Sequence, residues 1–97
     1  MSKQQPIEKK ELFERIKLIS NHQRFRILEL TETEPLTITE LSSKLKLSYN
    51  KCADYVTMLE VKGLVQKTKA GKEVKVQSGV KFYLDKIEFL KSKPLRS

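Results

Sequence analysis

Two helix starts sit close together in the middle of this chain, and no other feature limits its fold so strongly. In Thr37-Ile38-Thr39-Glu40 the Thr37 hydroxyl is placed to accept from the Glu40 amide while the Glu40 carboxylate reaches back, which makes a capping box. Ser48 is a second N-cap residue, so the helix that begins after Thr37 has to end near Lys46-Leu47. Ile38, Leu41 and Leu45 share one face of that helix. A short helix, a tight turn and another helix therefore follow one another directly.

The helix after Ser48 spans Tyr49 to Lys62. Its Cys52, Val56 and Leu59 recur at helical spacing toward a core, with Tyr55 flanking them, and Gly63 stops it because glycine tolerates the left-handed conformation best. Opposite the apolar stripe lie Asn50, Lys51, Asp54 and Thr57, short or polar side chains able to approach a base edge or a phosphate. Two strand-like runs come next, Leu64 to Lys69 and Glu73 to Gln77, separated by Ala70-Gly71-Lys72, and they read as a β-hairpin. Val74 and Val76 point to one side of it and Glu73, Lys75 and Gln77 to the other, leaving Lys67, Lys69, Lys72 and Lys75 on a small basic projection.

Upstream, Leu12, Phe13, Ile16 and Ile19 make an amphipathic first helix from Ile7 to Ile19. A second helix, capped by Ser20 or Asn21, carries Phe25, Ile27, Leu28 and Leu30 and ends in the stretch before Pro35. Downstream, Ser78 is placed to cap a last helix from about Gly79, with Val80, Tyr83, Leu84, Ile87 and Leu90 on one stripe and Phe82 and Phe89 on another. Two stripes exceed what one small domain needs. Either one packs on the first helix while the other pairs with a second copy, or both are buried within the monomer. The expected fold is mainly α with a small β-hairpin (α+β), in the order α-α-α-α-β-β-α. Residues 1–6 are read as a flexible start, 7–78 as the domain, 79–92 as the terminal helix and 93–97 as a flexible tail.

Ninety-seven residues suit one domain and leave no length for a separate catalytic one. The apolar stretches fall far short of the roughly 20 residues needed to span a bilayer, and the first residues lack a signal peptide's apolar segment, so a cytoplasmic protein is expected, with no membrane partner. A lone cysteine, Cys52, rules out an internal disulfide. The net charge of +8 is unevenly spread: residues 1–36 carry +1, residues 37–61 balance, and residues 62–97 carry +7. A basic surface of this kind attracts phosphate polyanions and anionic membranes alike, and points to nucleic acid once it is joined to a suitable architecture.

These residues carry a resemblance to a known family. The run Leu18 to Leu28 is similar to the opening helix of ArsR-like winged helix-turn-helix regulators, with Arg24, Ile27 and Leu28 as its Arg-x-x-Ile-Leu pattern. Thr39-Glu40-Leu41 through Leu47-Ser48 resembles their helix-turn-helix, and Tyr55 through Val65 resembles the end of their recognition helix and its entry into the wing. Ser48-Tyr49-Asn50-Lys51 and the tail from Phe82 to Leu90 also look like small archaeal winged-helix DNA-binding proteins, which dimerise through a terminal helix. The resemblance implies a double-stranded DNA-binding protein, sequence-selective or architectural, acting in transcription regulation as a homodimer associated with the nucleoid. Ser48, Tyr49, Asn50, Lys51 and Thr57 would then face the major groove, with Lys46, Lys67, Lys69, Lys72 and Lys75 on phosphates. Val80, Phe82, Tyr83, Ile87, Phe89 and Leu90 would hold the dimer.

The chain departs from that family in two respects. Many ArsR-like proteins sense metals through paired cysteines or clustered histidines and carboxylates, whereas this sequence has one cysteine and one histidine, Cys52 and His22, so no metal site is expected. Asp54 stands where the family often has a basic or neutral contact residue, and its charge repels phosphate unless it pairs with Lys51 or accepts from a cytosine amino group. No nucleophile–base motif and no phosphate-binding glycine loop is present, so neither an enzyme, nor a cofactor, nor a small-molecule effector is indicated. The rival from another class is a winged-helix protein-interaction module that leaves its recognition helix unused.

Overall fold

The computed structural model describes residues 8–82 and 87–89. Helices α1 (Lys9–Ile19) and α2 (His22–Thr33) are followed by strand β1 (Leu36–Thr37), helices α3 (Ile38–Leu45) and α4 (Tyr49–Val61), and strands β2 (Val65–Ala70) and β3 (Glu73–Ser78). A second pair, β4 (Val80–Phe82) and β5 (Ile87–Phe89), closes the described chain. The starts of α2, α3 and α4 fall where the side chains put them. Asn21, rather than Ser20, caps α2 by accepting from the Arg24 amide at 3.0 Å. At α3 both arms of the capping box are made, with the Glu40 amide donating to Thr37 Oγ1 at 3.0 Å and the Thr37 amide to Glu40 Oε1 at 2.9 Å. That amide bond, more than the nearby Lys75 and Lys44 charges, holds the Glu40 carboxyl below its ordinary pKa.

The core gathers one or more side chains from α2, α3, α4 and the sheet: Ile27, Leu28, Leu41, Val56, Leu59, Leu64 and Val76 are each at most 1% exposed. Thr31 is also fully buried in α2, and its hydroxyl satisfies itself on the Ile27 carbonyl at 2.7 Å. β1, β3 and β2 form an antiparallel sheet with β3 in the centre. The two-residue strand β1 is absent from the sequence reading, because Leu36-Thr37 is too short to show any alternation and becomes a strand only by pairing Leu36 with Val76 and Thr37 with Lys75. The β2–β3 hairpin closes with Ala70 opposite Glu73, and Gly71, at φ 65°, takes the first of the two turn positions, where a type II′ turn needs a positive φ.

The expected terminal helix over residues 79–92 is not found in its described part. Residues 80–82 and 87–89 are antiparallel strands, with Val80 opposite Phe89 and Phe82 opposite Ile87. Ser78 caps no helix; its hydroxyl both accepts from the Val80 amide and donates to the Val80 carbonyl, at 2.9 Å each, and the chain continues extended. The reason is chemical ambiguity: Val80, Phe82, Ile87 and Phe89 fit a two-residue period as well as a helical one, and β-branched and aromatic side chains favour the pleated surface. Val80 is fully buried, and Phe82, partly buried, meets Phe25 edge-on with ring centroids 5.2 Å apart, so both pack against the monomer's own core. Tyr83 and Leu90, together with 1–6 and 93–97, lie outside the described residues.

Gly79, read from sequence as a helix start, marks a close backbone crossing instead. Its amide donates to the Leu64 carbonyl at 2.7 Å, and a Cβ there would stand 3.1 Å from the Gly63 carbonyl oxygen and 3.2 Å from that of Leu64. Both obstacles are backbone, which cannot swing aside. Gly79→Ala should therefore lower stability by about 1–3 kcal/mol, the usual cost of overpacking, seen as a lower melting temperature in circular dichroism.

Candidate nucleic-acid interface

Both helices of the central unit end with one backbone device. α3 finishes with the Leu47 amide donating to the Ser42 carbonyl at 2.9 Å and the Lys46 amide to that of Ser43 at 3.3 Å. α4 finishes with the Leu64 amide on the Leu59 carbonyl and the Gly63 amide on that of Glu60, both at 2.9 Å. These are Schellman closures, which require a left-handed residue at the stop. Gly63, at φ 74°, adopts it freely. At the other stop stands Lys46, at φ 59° and ψ 42°, the one non-glycine residue with positive φ among those described.

α4 is seated with its start outward. Ser48 Oγ accepts from the Lys51 amide at 3.1 Å, and Cys52, Val56 and Leu59 are buried while Tyr49, Asn50, Lys51, Asp54 and Thr57 are exposed. Burial pushes the Cys52 thiol pKa up, which keeps it protonated and unreactive. Arg24, which the sequence reading did not place at the site, reaches from α2 to this helix: its Nε donates to the Leu18 carbonyl at 2.7 Å and its guanidinium carbon lies 5.2 Å from the Tyr55 ring centroid. Lys51 Nζ lies over the same ring at 5.1 Å. The Arg-x-x-Ile-Leu run contained the signal for Arg24, but not the partner that gives it meaning.

Tyr49, the first turn of α3 (Ile38, Thr39, Glu40) and the wing tip (Lys72 of the turn with Glu73 and Val74 of β3) line a single groove of about 570 Å³. The structure thus brings together Tyr49 and Lys72, which the sequence places far apart. It does not bring Thr57 to that groove. Thr57 lines another, of about 520 Å³, between α1 and α4, with Leu18, Met58 and Val61 on its walls and the Glu14–Lys62 ion pair (2.6 Å) at its edge. The Lys62 ammonium holds the Glu14 carboxyl below its ordinary pKa.

The four wing lysines do not share one face. Lys67 is paired in register with Val76 and Lys69 with Val74, so both lie on the valine side, while Lys75 stands opposite Thr68 on the other side and Lys72 is in the turn. Lys67 is tied down at 3.3 Å by Glu60 of α4, which leaves its charge already partnered. Among the described residues Lys46, Lys69, Lys72 and Lys75 make no ion pair. The wing is basic, as its sequence suggests, but its unpaired charge sits at the tip and on two faces.

This arrangement is a winged helix-turn-helix. Residues 20–66 match the model of the winged helix-turn-helix DNA-binding family. Among solved structures, HlyU from Vibrio cholerae N16961 is similar at 28% identity, over 71% of this chain and 73% of that one, with a TM-score of 0.66. An ArsR-like transcriptional regulator from Rhodococcus sp. RHA1 is similar at 25% identity, over 71% of this chain and 65% of that one, with a TM-score of 0.66. The homodimeric winged helix-turn-helix DNA-binding domain Mb0332 from Mycobacterium bovis shares the fold at 16% identity, over 71% of this chain and 64% of that one, with a TM-score of 0.67. Among curated proteins none matches the chain significantly. The resemblance to ArsR-type regulators read from Leu18 to Val65 therefore stands. No helix among the described residues is long and apolar enough to cross a membrane.

Lys46 supplies a direct check on the turn. A side chain in the left-handed region costs roughly 1–2 kcal/mol, and glycine returns part of that through its greater freedom when unfolded. Lys46→Gly should therefore stabilise the domain by about 0.5–1 kcal/mol, measured by urea denaturation with an unchanged slope.

Proposed function

We propose that this chain binds double-stranded DNA as a dimeric transcription regulator, with the start of α4 in the major groove and the wing on the flanking phosphates. The observation that carries this reading is the groove shared by Tyr49, the first turn of α3 and Lys72, which lets helix and wing meet one duplex. Ser48, Asn50 and Lys51 enter with Tyr49, while Thr57 lies further along the helix toward α1. Lys46, Lys69, Lys72 and Lys75 supply the phosphate contacts, and Lys67 contributes less because Glu60 is already its counter-ion.

For the dimer, α1 offers an apolar surface. It buries no residue, and Leu12, Phe13 and Ile16 are 37%, 60% and 48% exposed. A second copy covering this face would bring two recognition helices to one duplex about a two-fold axis. A second reading, docking of a protein on α4, is favoured by one observation: Met58 and Val61 are exposed in the groove between α1 and α4. Salt separates the two, since binding to random duplex that is absent at low salt removes the DNA reading.

Replacing Lys69 and Lys72 together with alanine should lower the slope of log affinity against log salt by up to about 2, equally on all duplex sequences, with Lys67→Ala changing it less; fluorescence anisotropy measures both. Phe13→Asp combined with Ile16→Asp should give a monomer in sedimentation velocity and weaken binding to an inverted repeat far more than to a single half-site.

A further inference from the structure

Asp54 sits on the exposed face of α4, one turn beyond Asn50 and one turn before Thr57 and Met58. Two partners are open to its carboxylate from sequence, the Lys51 ammonium and a base amino group. The structure removes the first. Lys51 Nζ lies over the Tyr55 ring at 5.1 Å, Arg24 is held by the same ring and the Leu18 carbonyl, and among the described residues Asp54 makes no ion pair. Among the described residues, then, a carboxylate without an ion-pair partner stands in the middle of the surface proposed to face DNA.

A carboxylate only accepts hydrogen bonds. Between two phosphate walls it is repelled from every side, and in the major groove it is repelled again by O6 and N7 of guanine and by O4 of thymine. Amino groups are what it can use, and cytosine presents one without the adjoining N7 acceptor that adenine carries. We propose, building on the DNA-binding reading above, that Asp54 is a specificity-determining residue that accepts from the N4 amino group of a cytosine. The placing of Lys51 over Tyr55 keeps the carboxylate free for that contact. On other sequences the same charge lowers affinity, so Asp54 selects as much by refusal as by attraction. Asn50 lies about 6 Å earlier along the helix axis at 1.5 Å per residue, which assigns it a different base pair.

The test is selection from a random duplex pool with the full chain and two variants, Asp54→Asn and Asp54→Ala. The wild type should enrich cytosine at one position of each site by roughly tenfold over the other bases. Asp54→Asn should move that preference to adenine, whose N6 and N7 suit an amide, and Asp54→Ala should flatten it while tightening binding to random duplex. If all three proteins bind and enrich the same pattern, DNA binding stands and the role of Asp54 is overturned. That role is equally overturned if Asp54→Ala tightens every sequence alike without changing the preferred base. If the wild type binds no duplex at low salt, the DNA-binding reading fails first and this assignment falls with it. Asp54 is exposed, so coincident thermal melts of the three proteins would show that the fold is unchanged.

Discussion

The angle between α3 and α4 depends on one backbone event, the passage of the chain through a left-handed residue at Lys46. Two amides, of Lys46 and Leu47, fold back onto the carbonyls of Ser43 and Ser42, and the helix that follows can leave in one direction only. The rest of the domain follows from that direction. Cys52, Val56 and Leu59 meet Ile27, Leu28 and Leu41, and the opposite face of α4 is left outside. The same closure at Gly63 then returns the chain into β2, with Leu59 and Leu64, its two flanking apolar residues, both buried. α4 is thus framed by two stops of one kind, both made by main-chain bonds.

Much of this was legible in the sequence, for local reasons. Caps, stops and tight turns depend on the chemistry of single residues, and Asn21, Thr37, Ser48, Gly63 and Gly71 are found where their side chains, or the lack of one, allow. Lys46 escaped because a lysine carries no sign of a left-handed backbone; the need arises from two helices that must fit together. β1 escaped because a two-residue strand exists only in its partner, and the terminal segment misled because apolar residues at 80, 82, 87 and 89 serve two periods equally well.

The candidate interface was legible in composition more than in arrangement. A lysine-rich hairpin beside a polar helix could be read directly, but not the pairing of Lys67 with Glu60, the division of Lys69 and Lys75 between two faces, or the meeting of Arg24 and Lys51 over Tyr55. Each of these joins residues from different positions of the fold. Charge counts overstate what such a surface can offer a polyanion, because some of the charge is already used within the fold.

β1 has a consequence out of proportion to its length. Thr37 both caps α3 and pairs with Lys75 of the wing, so the helix-turn-helix and the hairpin are gauged against each other by the main chain. Side chains at the tip and on the outer face of α4 take no part in that gauge. Substitutions confined to those positions therefore leave the spacing between α4 and the β2–β3 hairpin untouched, because that spacing is set by main-chain pairing elsewhere.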